Sequence, residues 1–75
     1  MKIEYLVKMA NEIDAFFSAE AAPQDRAAAV ADHLRRFWDP RMRAQIVAHQ
    51  AAGGAGLHEH VQRAVALLAK EAKPK

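Results

Sequence analysis

The sequence predicts an all-α protein: a small bundle of three to four helices with a proline-marked joint between helices two and three. Three observations carry this. Alanine, the strongest helix former, supplies 18 of the 75 residues, and threonine is absent. No stretch alternates apolar and polar residues with the period of two that marks a half-buried strand. Apolar residues instead recur at helical spacing, in blocks separated by "AAPQD", "WDPR" and "AAGGAG", which carry the proline and glycine of helix breakers. Residues 1–69 are expected to form one helical domain, with "KEAKPK" at 70–75 as a frayed charged tail.

The first helix is predicted from Lys2 to Glu20, where Ile3, Leu6, Val7, Ala10, Ile13, Phe16 and Phe17 fall at helical spacing. With Tyr5 and Met9 the apolar arc covers about 200°, against the somewhat more than ~100° that a surface helix needs. Two readings follow. Either this helix sits at the centre of the bundle, or one edge of the arc meets another protein.

Helix two starts at Pro23, with Asp25 near the positive end of the dipole, and runs to Trp38. Ala27, Val30, Ala31, Leu34, Phe37 and Trp38 share one face, while Asp32, Arg35 and Arg36 point away. The helix ends at Trp38–Asp39 because Pro40 disfavours helical geometry in the residue before it. Asp39 is a good N-cap and Pro40 a good first residue for helix three. That helix places Met42, Ile46 and His49 along one face and ends where Gly53 adopts a left-handed cap. A fourth helix begins near Leu57, with Val61, Ala64, Val65 and Leu68 aligned.

Seventy-five residues gather a limited core, and the 52% apolar content overstates it, because alanine buries little area. With no cysteine, disulfides, thiolate metal sites and cysteine catalysis are excluded. Lys8, Asn11, Glu12 and Asp14 interrupt the N-terminal apolar residues, which therefore resemble neither a signal peptide nor a membrane span. A cytoplasmic protein with no membrane partner is expected. The net charge of +2 is divided unevenly: residues 1–34 carry three basic and six acidic side chains, residues 35–75 eight and three. Such polarity orients docking.

Catalytic and metal-binding patterns are missing. His58 and His60 are two apart and do not face each other on a helix; "HEHVQ" is not the H-E-x-x-H zinc motif; His33 and His49 are isolated. These four fit solvated or packing roles. "GGAG" follows a helix and lacks the lysine of a phosphate loop. Ser18, the only serine, has no histidine near it in sequence, and Glu12 and Asp14 diverge on a helix. No catalytic, cofactor-binding or metal residue is assigned.

What stands out is "HLRRFWDPRMR". Arg35, Arg36, Arg41 and Arg43 surround Phe37, Trp38, Pro40 and Met42. The bland account is a solvated basic face over a core that uses the two aromatics. Arginine, however, offers a planar fork suited to carboxylates and phosphates, and Trp, Met and Arg are enriched at protein interfaces. These eight residues, with Tyr5, Met9 and Phe16 of helix one, form the candidate partner interface. Nucleic acid is not the expected partner, because helix three offers little beyond Arg41, Arg43 and Gln45 for base contacts. A free-standing nucleic-acid-binding or regulatory helical protein is the alternative.

Taken together, "LVKMANEIDAFF", "HLRRFWDPRMR" and "AAGGAGL" resemble the delta subunit of the soluble, NAD-dependent, metal-containing formate dehydrogenases. The most specific part is Phe37-Trp38-x-Pro40-Arg41-Met42-Arg43 preceded by His33, followed by the Gly53-Gly54-x-Gly56-Leu57 turn. The resemblance covers roughly Ile3 to Leu68, and the sequence departs from the family pattern at "HEHV". It implies a subunit that carries no cofactor and supports assembly or cofactor loading. The alpha subunit would oxidise formate with a molybdenum or tungsten bis-pterin guanine dinucleotide and iron–sulfur clusters. The beta and gamma subunits would carry FMN and further clusters and reduce NAD.

Overall fold

The computed structural model describes residues 2–72, which form four α-helices: α1 (Ile3–Glu20), α2 (Pro23–Phe37), α3 (Pro40–Ala51) and α4 (Glu59–Ala72). The fold is an all-α bundle. α4 reaches Ala72, so the first residues of the expected tail are helical, while residues 73–75 lie outside the described residues. Among the described residues, no helix is long and apolar enough to cross a membrane.

Local signals account for the helix boundaries. α1 and α2 are joined by Ala21 and Ala22, both extended, and Pro23 opens α2 where its missing N–H costs nothing. At the second joint the Met42 N–H donates to Asp39 Oδ1 at 2.9 Å, with Pro40 as the first residue of α3. Replacing Asp39 with alanine should cost about 1 kcal/mol and lower the melting temperature by about 4–8 °C, measurable by calorimetry. α3 closes with a paired motif. The Gly53 N–H bonds to the Gln50 carbonyl and the Gly54 N–H to the His49 carbonyl, each at 3.0 Å, which satisfies otherwise orphaned groups. Gly53 has a φ of +122°, a conformation that a side chain disfavours.

The core lies where α2 and α4 pack against each other most extensively, with α1 and α3 on its flanks. Val30, Ala31 and Leu34 of α2 meet Val61, Ala64, Val65 and Leu68 of α4, with Leu6 and Ala10 of α1, Ile46 of α3 and Leu57 of the loop. α1 is thus not the central helix. Its arc is split: Leu6 and Ala10 are fully buried, Ile3, Val7, Ile13 and Phe17 partly so, and Tyr5 and Phe16 are each 62% exposed. α4 starts at Glu59, two residues past Leu57, because the loop is tied to α1. Asn11 Nδ2 donates to the Gly56 carbonyl at 2.8 Å, and the His58 N–H donates to Asn11 Oδ1 at 3.0 Å.

Candidate functional site

The exposed edge of α1 is one wall of an apolar groove of about 470 Å³. Met9, Ile13 and Phe16 come from α1, His33 and Phe37 from α2, Trp38 from the joint and Met42 from α3, with Glu12 on the α1 rim. The helix ends place them. Because α2 stops at Phe37 and α3 restarts at Pro40, the joint delivers Trp38 and Met42 to the same hollow. Trp38 is 5% exposed and belongs to the core, whereas Phe37 is 71% exposed. The shared face predicted for Phe37 and Trp38 therefore divides. Phe37 lies at the end of α2 on the edge turned toward α1, and packs over the His33 ring one turn back, with centroids 4.7 Å apart. His33 also meets the edge of Phe17 at 6.1 Å, and Phe17 that of Phe16 at 5.1 Å. A chain of rings thus runs between α1 and α2, exposed at both ends.

The four arginines of the joint are used differently. Arg43 points inward: its Nη1 donates to the Arg35 carbonyl at 2.7 Å and the Trp38 carbonyl at 2.9 Å. It therefore satisfies carbonyls that α2 leaves open at its C-terminus. Arg35 forms a fork on Glu71, with Nε and Nη2 at 2.8 and 2.6 Å from the two carboxylate oxygens, and also reaches Asp32. It thereby straps α2 to α4. Arg36 pairs with Asp32 at 3.1 Å on the surface, a contact of small energetic weight. Arg41 is exposed and has no ion-pair partner among the described residues. Arg35, Pro40 and Arg43 line a separate trough of about 520 Å³ between α3 and α4. Most of the candidate interface residues therefore divide between two surfaces, while Arg36 and Arg41 line neither. Met9, Phe16, Phe37, Trp38 and Met42 share the first, and Tyr5 is exposed on the same edge of α1 as Met9 and Phe16.

One cluster escaped sequence reasoning. Asp14, 1% exposed, accepts from Arg26 Nε at 2.7 Å and Nη2 at 3.1 Å, and from His58 Nδ1 at 2.9 Å. His58 must carry the proton on that nitrogen, because an ionised carboxylate only accepts. The signal was present, since Asp14 continues the i, i+4 row of Leu6 and Ala10, where a carboxylate is out of place. Burial by itself raises the Asp14 pKa; hydrogen bonds and charge attraction from Arg26 and His58 outweigh it, and the net shift is downward. A carboxyl acidified by folding stabilises the native state above its unfolded pKa and loses that contribution as pH falls toward the folded value. Acid should therefore erode stability from the ordinary aspartate value of 3.8 downward. Circular dichroism between pH 6 and pH 2 should show this limb in the native chain, and a shallower one in Asp14→Asn. Among the described residues, no group of three or more His, Cys, Asp or Glu converges as a metal site.

Known proteins supply the context for this surface. No curated protein and no solved structure matches the chain significantly. The sequence profile of the NADH-dependent formate dehydrogenase delta subunit FdsD matches residues 5–65. That span contains α1 from Tyr5 onward, α2, α3 and the first half of α4, with every residue of the groove. The chain therefore belongs to the delta-subunit family of the NADH-dependent formate dehydrogenases, and is a subunit of that enzyme complex.

Proposed function

We propose that this chain is a non-catalytic accessory subunit that docks on the catalytic alpha subunit in the cytoplasm and supports its assembly or cofactor loading. The observation that carries the reading is the exposed aromatic and methionine surface of α1, α2 and α3 on a chain that belongs to a subunit family. Phe16, Phe37 and Tyr5, so far out of the core, cost solubility unless something covers them. In this reading the molybdenum or tungsten bis-pterin guanine dinucleotide and iron–sulfur clusters reside in alpha, FMN and NAD belong to the beta and gamma subunits, and this chain holds none of them. Its contribution is binding energy and shape.

Deleting the chain from the producing cell and purifying the remaining subunits tests this. Formate-dependent NAD reduction and the molybdenum or tungsten content of alpha should both fall, and a tagged copy of the chain should restore them and co-purify with alpha. The purified chain alone should oxidise no formate. A complex that keeps full metal content and activity without the chain would overturn the proposal.

A further inference from the structure

The groove limits what can fill it. The described part of the chain has no strand and so offers no sheet edge for a partner strand to extend. The apolar row on the outer edge of α1 runs from exposed Tyr5 through half-buried Met9 to exposed Phe16, about 16 Å at the rise of an α-helix, or three turns. Met9 and Met42 both line the hollow, together with the buried Trp38, and methionine adapts to irregular apolar surfaces. The carboxylate of Glu12 stands on the α1 side of the groove; on the α3 side exposed Arg41, with no ion-pair partner among the described residues, immediately precedes the groove residue Met42.

We propose that the groove receives an amphipathic helix of the partner subunit, about three turns long, with a carboxylate on the flank that meets Arg41. The apolar face of that helix fills the space between Phe16 and Phe37, and the opposite charges of Arg41 and Glu12 set its direction. This rests on the docking role proposed above.

The test uses the whole complex. The photo-crosslinking residue p-benzoylphenylalanine replaces Phe16, Phe37 or, as a control on α4, Leu67, and mass spectrometry maps the products after irradiation of cells. Crosslinks from the first two positions should converge on one contiguous helix of a partner subunit, with none from Leu67. Arg41→Glu should weaken retention of that subunit about tenfold or more, and a lysine in place of the mapped carboxylate should restore it. Crosslinks to a strand, to a loop or to a second copy of this chain would overturn the helix proposal, as would their absence from a complex that still co-purifies; the docking role would survive. If the unmodified chain retains no other subunit, both fall together.

Discussion

Replacing Trp38 with alanine is expected to destabilise the isolated chain by about 3–5 kcal/mol, the usual cost of emptying a buried aromatic site. The indole is almost fully buried and belongs to the same core cluster as Leu34 and Ile46. At about 0.05–0.15 kcal/mol per residue, a domain of this size has about 4–11 kcal/mol in total, so the variant should lose between about a quarter and all of its stability. Denaturant titration followed by circular dichroism measures it. A loss below about 0.5 kcal/mol, as at an ordinary surface position, would mean that the side chain lies outside the core. Since Trp38 also lines the groove, loss of a partner in this variant says nothing about docking. Arg43→Glu is compromised in the same way, because it removes both bonds to the α2 carbonyls. Arg41→Glu avoids this.

Phe16→Glu combined with Phe37→Glu should leave the fold intact and abolish partner binding. Both rings are mostly exposed, and substitutions at such positions usually change stability by no more than about 0.5 kcal/mol. Phe37 loses its His33 contact, which widens that bound slightly. Aromatic anchors central to an interface commonly contribute 2 kcal/mol or more each, and each 1.4 kcal/mol is about tenfold in affinity. Retention of the partner subunit should therefore fall by at least about 100-fold, with the far-ultraviolet spectrum unchanged. Leu67→Glu, on a helix that contributes nothing to the groove, should have no comparable effect. A folded double variant that co-purifies like the native chain would exclude this surface.

The sequence by itself determined the helices, their joints and the family. Pro23, Asp39–Pro40 and Gly53 act within one turn of where they stand, so their consequences are legible without knowing what lies across the molecule. The apolar row of α4 is equally local: Val61, Ala64, Val65 and Leu68 share a face at any helical geometry, and all are buried. What spacing left open was the use of a surplus. An arc of about 200° on α1 exceeds what one packing face consumes, and which edge remains outside depends on where three other helices sit. Tertiary structure sent Trp38 inward and its neighbour Phe37 outward, and turned Arg43 onto the backbone of the preceding helix. It also paired Asp14 with Arg26 and with His58, the latter 44 residues away in sequence. The division has one physical cause. Propensity, capping and periodicity act between residues at most about four apart, whereas burial and ion pairing are decided by what the fold brings into contact.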